Sequence, residues 1–383
     1  MKTKSNPFLR TVALAATVVL APCVDAATYQ WTGITSSDWS TASNWPAATG
    51  ITVGPPPTSG AHRIQIKNGA NSEAVYDSSL GTRTYGGSNI KGLVIGNPGN
   101  ATMRITGGKF VTQGTTTTAD LNAGVDVVGN TNGVASLIID GGEYQSGVLG
   151  LTLGLGGGPT SSLTINNGGL ATISTLNHNA TTATTTLNSG GTLAVNKITG
   201  VAGTRNLNFN GGTLKARQNE TAFLSGLTAV TVNSNAIIDT SGFNVTIANV
   251  LRDGGTGGGL IKNGGGTLTL TGSGAAFYSG DTVVNGGKLA LSPAGAIVFN
   301  SKISGTFDLD LGGTGTVELG GASNYVGNTN LLSGTLTLTG SLTSNVIAST
   351  NTNLGGEGST SGSLDLQGTS NIFFNPGTTG PNE

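Results

Sequence analysis

The chain is poor in charge and almost devoid of cysteine. Only 9% of its 383 residues are Asp, Glu, Lys or Arg, and 17 basic against 18 acidic residues leave a net charge of −1. These charges are scattered singly, so no cationic track follows a phosphate backbone, and nucleic-acid binding is excluded. Disorder is excluded too, because disordered segments combine low hydrophobicity with high net charge. Here hydrophobic residues make up 36% of the chain. The single cysteine, Cys23, lies so near the N-terminus that the rest of the chain has no thiol for a disulfide or a thiolate metal site. Beyond residue 26 no run keeps a 3.6-residue period, so almost no helix is expected. What is abundant is glycine, 65 residues, well above the usual ~7%.

The glycines fall in a recurring unit: a short alternating apolar run, a Gly-Gly or Ser-Gly pair, then a large residue opening another run. It reads Met103-Arg104-Ile105-Thr106-Gly107-Gly108-Lys109-Phe110, Leu137-Ile138-Ile139-Asp140-Gly141-Gly142-Glu143-Tyr144 and Leu163-Thr164-Ile165-Asn166-Asn167-Gly168-Gly169-Leu170. It returns around Gly190-Gly191, Gly211-Gly212 and Gly286-Gly287. Alternation puts Leu163 and Ile165 on one face and Thr164 and Asn166 on the other. A unit this small cannot bury its own apolar face, so its copies must stack. The expected fold is all-β: a right-handed parallel β-helix, a single elongated β-solenoid. With rungs of roughly 20–25 residues and strands ~4.8 Å apart, its length is on the order of 70 Å.

Residues 1–26 have the pattern of a cleaved export signal: Lys2, Lys4 and Arg10, an apolar stretch from Thr11 to Leu20, and Val24-Asp25-Ala26 before a cut ahead of Ala27. The apolar stretch is too short to span a bilayer, so no transmembrane segment is expected in the mature chain. Leu20-Ala21-Pro22-Cys23 loosely resembles a lipoprotein box, but proline before the cysteine disfavours lipidation. Residues 27–60 hold all three tryptophans, Trp31, Trp39 and Trp45, and end at Pro55-Pro56-Pro57. They are expected to form an N-terminal cap, since a solenoid must cover its open end. The competing reading is a carbohydrate platform of indole faces. Residues 61–259 then read as irregular rungs.

Residues 260–340 contain two longer units that align with each other. Leu260-Ile261-Lys262-Asn263-Gly264-Gly265-Gly266-Thr267-Leu268, Tyr278-Ser279-Gly280 and Gly286-Gly287-Lys288-Leu289 form the first. Gly315-Thr316-Val317-Glu318-Leu319, Tyr325-Val326-Gly327 and Ser333-Gly334-Thr335-Leu336 form the second. Tyr278 maps onto Tyr325, Gly280 onto Gly327 and Gly287 onto Gly334, and Gly266 and Gly315 open their glycine-threonine strands. These units resemble the autotransporter-associated β-strand repeat of secreted bacterial proteins. The resemblance implies a passenger-type β-helix exported by a bacterial cell to its surface or surroundings, with no catalytic residues to carry over. Residues 341–383 resemble the closing elements that follow such repeats, Leu354-Gly355-Gly356 and Asn375-Pro376-Gly377 among them. No membrane barrel or sorting helix follows these elements, and three readings stay open: another anchor, release, or a truncated chain.

Little in the sequence carries chemistry. Asp308 and Asp310 share one face of a strand; a cation site or acid/base pair is weighed against a solvent-facing strand edge, which is favoured. His62 and His178 stand apart from carboxylates and read as surface or turn residues. No catalytic, cofactor or metal residues are assigned, and the glycine runs lack the Lys-Ser/Thr ending of a phosphate loop. Sequons at Asn100, Asn179, Asn219 and Asn244 are expected by chance in a chain so rich in Asn and Thr. The expected role is an adhesin-like scaffold with a polar surface, its partner a polysaccharide or another surface protein. The alternative is a carbohydrate-binding or polysaccharide-cleaving β-helix.

Overall fold

The computed structural model describes residues 27–47, 53–60, 62–67, 73–87, 92–96, 99–114, 125–129, 133–155, 160–274 and 277–373. The expected leader with Cys23, and Asn375-Pro376-Gly377, lie outside these residues. Within them the only helical elements are the 3-10 turns Ala42–Asn44 and Ser78–Leu80. Strands of mostly three to seven residues pair in parallel with their counterparts one rung on, and the rungs form a β-solenoid of about 13 turns. At ~4.8 Å per rung the stack is about 60 Å long.

Each rung visits three faces in fixed order. One is an eight-stranded parallel sheet running from Ala74–Tyr76 to Leu251–Asp253, and a five-stranded sheet from Ala296–Phe299 to Asn371–Phe373 follows it. The other two faces belong to one 24-stranded sheet, except that a three-stranded sheet of Ala322–Ser323, Ser341–Leu342 and Ser359–Thr360 carries one of them over the last rungs. The two faces fuse where Leu170–His178 pairs with Thr192–Gly200 over almost its whole length, because these nine-residue strands run across both faces.

Rung length falls along the chain. Gln65 pairs with Gln30 at a separation of 35 residues, Ser162 with Ser136 at 26, Asn188 with Asn166 at 22, Asn330 with Asp310 at 20 and Asn371 with Asn353 at 18. Most strands stay short throughout, so most of the difference lies in the connections. The expected 20–25 residues thus describe only the middle of the stack.

Register places like on like. One interior column reads Trp31, Ile66, Ile95, Val128, Leu153; another reads Ile64 and Leu93, then Leu151, Leu176 and Ile198 beyond a single interruption. These side chains are buried, and each contributes about 1.5–3 kcal/mol by leaving water. Where strands reach their glycine corners, outward asparagines form a ladder. Asn188 donates to Asn166 (2.7 Å), Asn210 to Asn188 (2.8 Å) and Asn233 to Asn210 (2.9 Å).

The tryptophan segment is itself the first rung. Thr28–Trp31 pairs in register with Arg63–Ile66, and Asp38 bridges to Val75 at the start of the eight-stranded face. All three indoles point inward and are at most 1% exposed. Trp39 packs edge-on against Trp45 (4.8 Å), Tyr76 (5.4 Å) and Phe110 (5.8 Å). The carbohydrate platform is therefore corrected: indoles buried in the solenoid interior present no face to a sugar.

Candidate functional site

Three ionisable side chains occupy interior positions that their columns otherwise give to apolar residues. Asp126 interrupts the column between Leu93 and Leu151. Its carboxylate accepts the Leu93 amide (2.9 Å), the Tyr144 hydroxyl (2.6 Å) and the Thr112 hydroxyl. Burial pushes this carboxyl up to about 6, and the three donors hold it from going higher. Burial also raises the Tyr144 phenol well above its ordinary value.

His178 follows Leu153 in its column and bonds through Nε2 to Thr185 Oγ1 (2.9 Å) across the interior. Burial, with a smaller push from Arg205, drives it down to about 3, so the ring is neutral at neutral pH. Lys262 sits between Ile238 and Val284. Its Nζ donates to Thr240 Oγ1 (3.1 Å) and to the carbonyls of Asn263 (3.3 Å), Gly264 (2.9 Å) and Gly286 (2.8 Å). One ammonium thereby joins the turns of three successive rungs, and burial lowers it to about 8.

Two sequence readings are corrected here. His178 is fully buried and His62 nearly so, the latter packed edge-on against Tyr29 (5.2 Å). His178 lies within a strand with its ring in the interior, whereas His62 does lie in the connection between Ser59–Gly60 and Arg63–Ile66, so for it only the exposure is corrected. The strand of Asp308 and Asp310 is not an edge: Leu309–Leu311 lies between Lys288–Leu291 and Asn328–Leu331. Asp310 accepts from Asn330 (2.8 Å) and faces Lys288 Nζ (3.5 Å), while Asp308 accepts the Asn328 amide (2.8 Å). No group of three or more His, Cys, Asp or Glu that could hold a metal occurs among the described residues.

The residues chosen to define the long repeat are contact points between rungs. Tyr278 and Tyr325 are buried, and each bonds the threonine four residues on, Thr282 (2.7 Å) and Thr329 respectively. A Cβ at Gly266, Gly280, Gly287, Gly315, Gly327 or Gly334 would come within 2.7 Å of backbone in the preceding rung. Glycine is needed there because backbone meets backbone.

The outer surface carries two grooves that sequence reading missed. In Leu170–His178 alternation fails once: Ile173 and Leu176 are buried, while Ser174 and Thr175 both face outward. Asn196 and Lys197 repeat this on the next rung between Val195 and Ile198. Two consecutive outward residues mark the strand swinging from one face to the next, and stacking turns them into a ridge. On one side lies a groove of about 720 Å³ lined by Gln113, Gln145, Ser174, Asn196 and Arg217 among others. On the other lies one of about 350 Å³ that includes Thr152, Asn177, Lys197 and Thr199. The floor of the larger groove connects to the buried carboxyl, since Thr112 donates to Asp126 and accepts the Gly147 amide (3.0 Å).

Among known families, the model of the passenger-associated-transport-repeat matches residues 260–291 and 312–338. These are the two units that align in sequence and share the buried Tyr-Thr corner. The chain thus carries autotransporter-associated β-strand repeats on a parallel β-solenoid. No curated protein matches the chain.

Proposed function

We propose that the protein is an exported, passenger-type scaffold that presents its long lateral faces outside the cell in an adhesin-like role. The observation that carries this reading is the pair of passenger repeats, which continue two faces of the solenoid built by the rungs before them. The outward-facing Asn166–Asn233 ladder supports a surface of neutral polar groups. No helix among the described residues is long and apolar enough to cross a membrane.

A structural or binding role fits the side chains better than catalysis. Asp126, His178 and Lys262 are shut inside the stack, and Asp308 and Asp310 are held by neighbouring rungs. Export is tested by expressing the full chain in a bacterial host and labelling intact cells with a membrane-impermeant amine reagent. Labelled chain on the cells or in the medium supports the reading; unlabelled chain confined to the cytoplasm overturns it. A second reading, carbohydrate binding, is favoured by the paired polar grooves.

A further inference from the structure

The ridge and its two grooves share one chemical signature. Gln113, Gln145, Asn196 and Asn177 offer amides that donate and accept at once, and Ser174, Thr152 and Thr199 add hydroxyls. That mixture complements the neighbouring hydroxyls of sugars, which also donate and accept. Val148 and Val201, 69% and 70% exposed, stand at the larger and smaller groove respectively and offer apolar surface to the C–H face of a sugar ring.

The charges narrow the ligand further. Arg104, Lys109, Lys215 and Lys288 each pair with a carboxylate of this chain. Arg217 and Lys197 make no ion pair among the described residues, and one stands in each groove. Arg217 is exposed, and its Nη1 bonds only the Ile173 carbonyl (3.3 Å), which leaves most of its fork of donors free. No described carboxylate lines either groove. Two unneutralised cations flanking a ridge of amides and hydroxyls ask for an anion embedded in a polyhydroxylated chain.

We propose that the paired grooves bind an acidic polysaccharide, with its carboxylates on Arg217 and Lys197 and its hydroxyls on the amides of Gln113, Gln145, Asn196 and Asn177. The inference deepens the carbohydrate-binding reading and rests on it, while the export reading stands or falls separately in the cell-labelling experiment.

The test is affinity electrophoresis of the full chain through gels containing polygalacturonate, neutral dextran or dextran sulfate. Retardation by polygalacturonate that weakens with added salt is expected, with little retardation by dextran. Losing two charge-assisted contacts in Arg217→Gln/Lys197→Gln should reduce affinity by about tenfold or more, and Lys302→Gln on a distant rung should change it less than about twofold. Both groove side chains face outward, so circular dichroism should show the double variant folded. Unchanged polygalacturonate affinity in the folded double variant overturns the proposal, as does the absence of retardation at low salt. Equal retardation by dextran overturns the role of charge, and retardation by dextran sulfate alone overturns the carboxylate.

Discussion

Gly287 is the sharpest test of how the long repeats stack. Its φ is +67°, and a Cβ there would lie 2.1 Å from the carbonyl oxygen of Gly266 on the preceding rung. Forcing an L-residue into this left-handed region costs roughly 1–2 kcal/mol. The contact is the larger problem, because a carbonyl oxygen has no rotamer in which to escape. To open the gap the two rungs must part where Lys288 donates to Gly266 (3.2 Å) and Asn285 to Lys262 (2.8 Å). Weakening those bonds adds about 1 kcal/mol each, so Gly287→Ala should lose about 3–4 kcal/mol in all.

Two controls separate the causes. Gly255 has a φ of +81° with no atom within 4 Å of its would-be Cβ, so Gly255→Ala should show the conformational cost alone. Gly265 is open and outside the left-handed region, so Gly265→Ala should stabilise by about 0.4–1 kcal/mol through the unfolded chain. Guanidinium unfolding measures all three, with hydrogen exchange at the Lys288 amide as a local readout, since stacked repeats need not unfold in one step. If Gly287→Ala costs no more than Gly255→Ala, the backbone-contact argument is refuted.

Asn188→Ala removes the bonds to Asn166 and Asn210 and strands both partners, so denaturant unfolding should show a loss of about 1–3 kcal/mol. Asn188→Asp should not restore stability, because a carboxylate cannot donate to Asn166. Asp126 makes stability depend on pH. Its folded value of about 6 lies above its ordinary 3.8, so its contribution is fully present below 3.8 and is lost as pH rises through about 6. The span is about 3 kcal/mol. His178 works the other way: its contribution is full above 6.5 and is lost as pH falls through about 3. Asp126→Asn should therefore leave a chain whose unfolding midpoint rises from pH 4 to pH 7 more steeply than that of the parent. Parallel pH profiles for the two proteins would contradict the buried carboxyl.

The strands were legible because alternation and glycine corners are local. Leu163 and Ile165 announce their face within three residues, and the equivalence of Tyr278 and Tyr325 follows from direct alignment of two neighbouring units. Asp126 was not legible. In Val125-Asp126-Val127-Val128 an inward aspartate looks like an outward one, and only stacking between Leu93 and Leu151 shows which way it faces. That register depends on connections whose length changes from rung to rung. Lys262 hid in the same way, its charge suggesting the outside while Ile238 and Val284 place it within. The tryptophans leave cap and platform both open because residue type alone does not tell exposure, and their burial in the first rung removes the platform. The grooves arise where Ser174-Thr175 and Asn196-Lys197 break alternation together, a signal spread over two rungs.

If this solenoid works outside the cytoplasm, the N-terminus of the protein recovered from its native cell carries the mark of export. Mass spectrometry of the extracellular or surface fraction should find a chain beginning at Ala27, with residues 1–26 removed. A chain found only in the cytoplasm and still beginning at Met1 would contradict export.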